Sequence, residues 1–332
     1  MGSSFKAFTV FENQDGSFSN QIISKNIDDL PKGDILIRVA YSSLNYKDGL
    51  SASGNKGVTK KYPHTPGIDA VGTIEDSSHS DFNDGDTVIV SGYDLGQNTS
   101  GGFGEYIRVP KEWVALLPEG LTKKESIILG TAGMTAGLCI RELQKKNGIE
   151  GKMAIVTGAT GGVGCLGVKL LSKLGAHVTA VTGKIDSGDF LKSIGAVEVI
   201  NRDQLAEYFN HPLASGKWDI GIDVVGGKML AGLMTCLNLG GSVACCGLVG
   251  GSTIETTIFP YILRGNSLIG IDSGNIPISE KREIWEHFAE DWKLDLNDLS
   301  KTITLNELDQ EIQLILKGGQ KGRVIISLGG EQ

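Results

Sequence analysis

The residues best suited to chemistry in this sequence form a short glycine-rich run, Gly158-Ala159-Thr160-Gly161-Gly162-Val163-Gly164. An apolar stretch that reads as a strand, Met153 to Thr157, leads into it, and a helical stretch, Val163 to Leu174, leaves it. That is the setting in which a glycine loop holds a phosphate. Aligned with G-x-G-x-x-G, Ala159 takes the first glycine position, Gly161 the second and Gly164 the third. The second lets the backbone approach a pyrophosphate, and the third lets helix and strand pack closely. N–H groups beginning near Gly162 then face the anion. A glycine turn with no ligand is the plainer alternative, but the flanking strand, helix and second strand argue against it. That second strand, His177 to Thr182, runs on into Gly183-Lys184. In NAD-binding loops an acid about 20 positions on holds the ribose 2′-hydroxyl. Here a hydroxyl, Thr182, and a cation, Lys184, stand at that place and suit the 2′-phosphate of NADPH. Arg202 supplies a second cation, while Asp186 falls in the loop beyond.

A chain of 332 residues is long for one core, so two domains are expected. The 47 glycines fall in turns and tight loops, which points to many strand-to-loop junctions and not to disorder. A net charge of −8 argues against non-specific nucleic-acid binding and against anionic membrane surfaces. No apolar run reaches the roughly 20 residues that span a bilayer, and Met1 to Lys6 lacks the features of a leader, so a cytoplasmic location is expected. The cysteines at 139, 165, 236, 245 and 246 form no C-x-x-C pair and read as reduced core residues.

The first ~120 residues read as strands, among them Ile35 to Tyr41, Asp69 to Ile74 and Asp86 to Val90. They imply a partly open β-barrel. Glu125 to Leu143 reads as a helix. Apolar runs then alternate with helical stretches as far as Ser242 to Gly247, which means βαβ units and a parallel sheet. Beyond Ile262 come two helices, Glu280 to Trp292 and Leu305 to Lys317, and a closing strand, Arg323 to Leu328. The expected α/β organisation is a nucleotide domain (125–262) inserted between two parts of another domain (1–124 and 263–332).

Further stretches carry a family likeness: Ser42 to Asp48, Pro66-Gly67-Ile68-Asp69, Gly130 to Ala136, the phosphate loop, Leu191 to Ala196, Ala244 to Leu248, Tyr261 to Asn266 and Gly270 to Ser273. Through them the chain resembles the quinone oxidoreductase-like branch of the medium-chain dehydrogenases/reductases, and within it the acrylyl-CoA reductase (NADPH) group. The resemblance implies a GroES-like β-barrel catalytic domain and a Rossmann domain with a doubly wound parallel sheet. It also implies an active cleft between them and commonly a homodimer. Zinc-dependent relatives place a cysteine ligand at Asn45 and a Gly-His-Glu stretch at Gly67-Ile68-Asp69. Neither Asn45 nor Ile68 is a zinc ligand, so no metal is expected. By the same resemblance, Tyr46, Thr131, the loop of Thr160, Gly161, Gly162 and Val163, and Thr182, Gly183 and Lys184 line the NADPH site. Arg202, Leu248, Ile262 and Ser273 complete it.

What the resemblance implies is hydride transfer to the C=C bond of an enoyl thioester such as acrylyl-CoA, or to a quinone. Tyr46 is the candidate hydrogen-bond donor, with Asn45 as a neutral polar partner and Asp48 orienting either. Equally, Asn45 caps a helix and Tyr46 only packs on the nicotinamide. Thr131 and Thr135 are either beside the nicotinamide or helix-packing residues, and Arg264 binds either a CoA phosphate or an internal carboxylate. Lys56, Lys60 and Lys61 offer a cationic rim for a CoA ester, or are simply solvated. His64 reads as structural. A third reading is an NADPH-binding sensor or structural protein with little turnover, which the retained polarity of Asn45, Tyr46 and Asp48 disfavours.

Overall fold

The computed structural model describes residues 4–209 and 211–329; residues 1–3, part of the leader reading, lie outside them. Two compact units emerge, one of residues 1–131 with 274–332, the other of residues 132–273. The expected borders, after 124 and 262, lie earlier than these.

The first unit opens with β1 (Ser4–Glu12) and β2 (Phe18–Asn26), paired antiparallel. β3 (Ile35–Ser43) follows, buried on both faces, as its β-branched and aliphatic run requires. Next come helix α1 (Tyr46–Ala52), β4 (Asp69–Ser77), β5 (Thr87–Ser91), β6 (Tyr106–Val109) and β7 (Val114–Leu116). Helix α2 (Lys123–Asn147) carries the chain out of the first unit and is interrupted at Gly130, whose φ of 50° and ψ of −152° are not helical.

The second unit alternates β8 (Met153–Val156), α3 (Gly162–Lys173), β9 (His177–Thr182), α4 (Gly188–Ser193), β10 (Ala196–Asn201) and α5 (Arg202–Ala206). It continues through β11 (Trp218–Asp223), α6 (Gly227–Thr235), β12 (Leu237–Cys245), α7 (Phe259–Arg264) and β13 (Ser267–Gly270). These strands form one parallel sheet in the order β10-β9-β8-β11-β12-β13. Counted from its own first strand that order is 3-2-1-4-5-6, the doubly wound nucleotide-binding order. β13 is why the second border lies beyond 262: four residues too short to stand out in the sequence add a strand to this sheet. Trp218, Leu233 and Val243 anchor the core, and the buried Trp218 Nε1 donates to Thr179 Oγ1 at 3.1 Å.

The chain then returns to the first unit as α8 (Ile278–Ala289), β14 (Ser300–Ile303), α9 (Leu308–Leu316) and β15 (Arg323–Ser327). β15 pairs with β3, so the first unit's sheet runs β14-β15-β3-β4-β5-β7, with β6 also on β3. The expected helix from Leu305 to Lys317 begins as a 3-10 turn over Leu305–Glu307 before α9. No helix of the described residues is long and apolar enough to cross a membrane.

Candidate active site

Where β3 ends and α1 begins, five polar side chains from four separate stretches meet. Asp69 opens β4 and is fully buried. Its Oδ2 accepts from Ser43 Oγ at 2.7 Å and from Asn45 Nδ2 at 2.8 Å. Its Oδ1 accepts from Thr131 Oγ1 at 2.6 Å, and both oxygens accept the Thr131 N–H at 3.0 Å. The break in α2 explains that last pair. At Gly130 the helix releases the next N–H from its ladder, and a carboxylate takes it, much as an acidic N-cap would. A Cβ on residue 130 would lie 2.6 Å from Asp69 Oδ2, so only glycine fits.

Opposite Asp69 lies Arg323, the first residue of β15, 2% exposed and 4.0 Å from the carboxylate. Its Nε donates to the Ile128 carbonyl at 2.8 Å and its Nη2 to Ser43 Oγ at 2.8 Å. Nη1 reaches the Leu44 carbonyl at 3.4 Å and Asn45 Oδ1 at 3.2 Å. The Asn45 amide therefore bridges the pair, giving to the anion and accepting from the cation.

Asp48 is also fully buried, at the first turn of α1. Its Oδ2 accepts the Asn45 N–H at 2.8 Å, and its Oδ1 accepts the N–H groups of Gly67 and Ile68 at 3.1 and 2.9 Å. It thus ties the start of α1 to the segment before β4. Burial pushes its pKa up from 3.8 to about 7, with Asp69 adding to the rise and the N–H donors opposing it.

Tyr46 differs from its neighbours. It is 40% exposed, and its hydroxyl has no hydrogen-bond partner among the described residues.

The second unit holds the phosphate loop, between β8 and α3. A Cβ at Gly164 would lie 2.3 Å from the Gly158 carbonyl oxygen, so helix and loop pack as the third glycine of the pattern requires. At Gly161 a Cβ would meet only that same oxygen, at 3.4 Å, which leaves the backbone open to approach. Past the end of β9, Lys184 Nζ donates to Thr160 Oγ1 at 3.0 Å, and the Lys184 N–H to Thr182 Oγ1 at 3.0 Å. Arg202 lies across Gly183, its Cζ 2.9 Å from where a Cβ would stand. Two cations and two hydroxyls thus gather beside the loop, a donor set that fits a dinucleotide carrying a 2′-phosphate. The loop is braced from β11: Thr157 Oγ1 donates to Asp223 Oδ1 at 2.6 Å, and the Gly226 N–H to Oδ2 at 2.7 Å. Burial raises the pKa of that carboxyl.

Of the residues expected in the site, Asn45, Tyr46, Asp48 and Thr131 stand in the first unit. Thr160 to Val163, Thr182 to Lys184 and Arg202 are brought together in the second. Ser273 hydrogen-bonds to Thr135 at 2.7 Å, and Leu248 and Ile262 are largely exposed at 67% and 66%. The Arg264 guanidinium donates to the carbonyls of Thr235 and Leu237, where α6 ends, and to that of Ala214. Lys56 is not a free rim cation, being paired with Glu12 at 2.6 Å over the rings of Phe18 and Tyr62. Lys60 and Lys61 are exposed. His64 is buried at a β-bridge with Val10. None of the five cysteines is in a disulfide, and no group of three or more His, Cys, Asp or Glu among the described residues is placed to hold a metal. Sequence reasoning missed Arg323, Thr157 and Asp223 as site builders. A charged residue opening or closing an otherwise apolar strand is the signal that marks the first and last.

Residues 31–119 match the family described as alcohol dehydrogenase GroES-like domain, and residues 162–290 the one described as zinc-binding dehydrogenase. A Bacillus subtilis protein provisionally named quinone oxidoreductase YhfP is 41% identical, over 99% of this chain and 100% of that protein. Acrylyl-CoA reductase AcuI of Ruegeria pomeroyi is 38% identical, over 98% and 99%. Among solved structures, the yhdH oxidoreductase of Salmonella enterica in complex with NADP has a TM-score of 0.92 at 37% identity, covering 97% of this chain and 99% of that one. Bacillus subtilis yhfP with NAD bound has a TM-score of 0.95 at 40% identity, covering 98% and 100%.

The Asp48 carboxyl is expected to titrate near 7, followed by its side-chain 13C shift and assigned by its loss in Asp48→Asn. Because the folded pKa lies above the unfolded one, this group's contribution to stability is full below about 4 and is lost as pH rises through 7. A midpoint near 4 would contradict the burial argument.

Proposed function

We infer the reaction from one premise: the chain belongs to the medium-chain dehydrogenase/reductase superfamily, beside its quinone oxidoreductase and acrylyl-CoA reductase members. It is an oxidoreductase, and its cofactor is NADPH. Its solved relatives hold NADP in one case and NAD in another, so the choice rests on this chain's own residues. Lys184, Arg202, Thr160 and Thr182 together offer two charges and two hydroxyls where a 2′-phosphate would sit, with no carboxylate among them. Bound there, the nucleotide supplies the hydride.

The substrate we propose is a short enoyl thioester such as acrylyl-CoA, reduced at its C=C bond without zinc, since Asn45 and Ile68 stand where zinc-dependent relatives have ligands. The observation that carries this reading is the Tyr46 hydroxyl. It is exposed and uncommitted, while Asn45 and Asp48 on either side have their polar atoms engaged. As hydride reaches the β-carbon, negative charge gathers on the thioester oxygen. Tyr46 donates a hydrogen bond to that oxygen, and a proton from water completes the α-carbon. Asn45 and Asp48 keep the first turn of α1 in place, and Thr131 holds the restarted helix against Asp69.

The protein acts as a homodimer, we propose, because α7 exposes Phe259, Ile262 and Leu263, and β13 lies at an open sheet edge. Sedimentation at twice the 35.2 kDa chain mass checks this. Its five cysteines, none of them in a disulfide, suit the reducing cytoplasm.

The deciding experiment follows NADPH oxidation with acrylyl-CoA and with a simple quinone in parallel. The expected kcat/KM with acrylyl-CoA is about 10⁴ M⁻¹s⁻¹ or above, with far less for the quinone; the reverse preference would make the enzyme a quinone reductase. Tyr46→Phe should lower kcat about 100-fold, the cost of one oxyanion donor, and near-normal kcat would reduce Tyr46 to a pocket wall. Lys184→Ala should raise KM for NADPH by about 10- to 100-fold while leaving that for NADH nearly unchanged; equal effects on both would remove the 2′-phosphate assignment.

A further inference from the structure

We propose that Asp69 and Arg323 are positioning residues for the reduction: acting through the Asn45 amide, they hold Tyr46 where its hydroxyl serves the substrate. The inference rests on the reductase reading above and adds the residues that make its donor effective. Asp69 and Arg323 are 0% and 2% exposed, so they act through other groups. The Asn45 side chain meets the carboxylate with Nδ2 at 2.8 Å and the guanidinium with Oδ1 at 3.2 Å. Neither a flip nor a rotation preserves both charge-assisted bonds. Its main-chain N–H is held in turn by Asp48 at 2.8 Å. Residue 45 is therefore fixed at its side chain and its amide, and Tyr46 is the next residue along.

The same pair holds the approach to Asn45. Ser43 Oγ gives to Asp69 and accepts from Arg323, and the Leu44 carbonyl accepts from Arg323. Three consecutive residues ahead of Tyr46 thus hang on one ion pair, and the direction in which α1 leaves β3 follows from it. An offset of about 1 Å in a reacting group can cost about 100-fold in rate, so a rigid anchor one residue upstream has a kinetic consequence and not only a structural one.

An ion pair that merely holds the fold behaves differently on substitution. Removing one partner leaves a lone buried charge and destabilises strongly, whereas replacing both by neutral groups often does not. The test compares Asp69→Asn, Arg323→Met and the double variant for Tm, NADPH affinity by nucleotide fluorescence, and kcat at saturating acrylyl-CoA (or the quinone, if that proves the better substrate). The double variant should regain Tm relative to the single variants and bind NADPH within about threefold of the wild type, yet lose about 100-fold in kcat. Recovery of Tm and of kcat to within about threefold would overturn the proposal and leave the pair structural. If the double variant does not fold, Ser43→Ala carries the test: a kcat lowered about 10-fold at unchanged NADPH affinity supports positioning, and kcat within about twofold overturns it. A wild-type protein that binds NADPH but reduces neither substrate would overturn the reductase reading, and this inference with it. Wild-type turnover with undiminished variant turnover would overturn this inference alone.

Discussion

A guanidinium and a carboxylate buried in the same apolar unit each cost several kcal/mol unless their N–H groups and lone pairs are matched. Arg323 and Asp69 meet that condition, and meeting it dictates the residues around them. Ser43 must be a small hydroxyl, because it gives to one partner and accepts from the other. Residue 130 must lack a Cβ, because one would strike the carboxylate. Helix α2 must break there, so that the Thr131 N–H can turn to Asp69. Residue 45 must present a strong donor and a strong acceptor within one side chain, which an amide does, whereas an ionised carboxylate only accepts and a thiol does both only weakly. β3, β4, β15 and α2 are thereby fastened at one point, and α1 is launched from it.

The second unit solves a different problem by different means. A nucleotide's phosphates need backbone N–H groups and open space rather than a buried ion pair. The glycines of the loop provide the space, and the start of α3 provides the N–H groups. The loop lies where the sheet's order reverses between β8 and β11, and Asp223 stitches the ends of those two strands through Thr157. Lys184 stands one strand away, past β9, and Arg202 past the next strand, β10, where the sugar-phosphate end of a dinucleotide would reach. The first unit thus holds the anchored start of α1, and the second a loop whose open backbone and neighbouring cations suit a nucleotide.

Much of this was legible in the sequence, because local rules carried it. β9 runs from His177 to Thr182 as the apolar run indicates, and α3 and β8 match within a residue or two. The glycine loop between β8 and α3, and the places of Lys184 and Arg202 just past β9 and β10, are legible from their order along the chain. What was not legible depends on distant partners. Asn45 reads as a catalytic partner or a helix cap, and only its meeting with Asp69 and with Arg323, 278 residues away, shows that its amide is already spent. Arg264 reads as a partner of a CoA phosphate or an internal carboxylate, and Lys56 as a rim or solvated cation, because nothing nearby in sequence reveals the carbonyls and the glutamate they meet. Helix α6 begins at glycines of positive φ, and β13 is four residues long. Both lack the length or periodicity that betrays an element.

Under the proposed function, a hydride passes from NADPH to the β-carbon of an enoyl thioester. The most direct measurement is the fate of deuterium carried at the nicotinamide C4 of NADPH during turnover with acrylyl-CoA, read by NMR of the propionyl-CoA formed. Label at C3 of the propionyl group, with solvent hydrogen at C2, is the result expected. Label at C2, or propionyl-CoA formed without label, would contradict it.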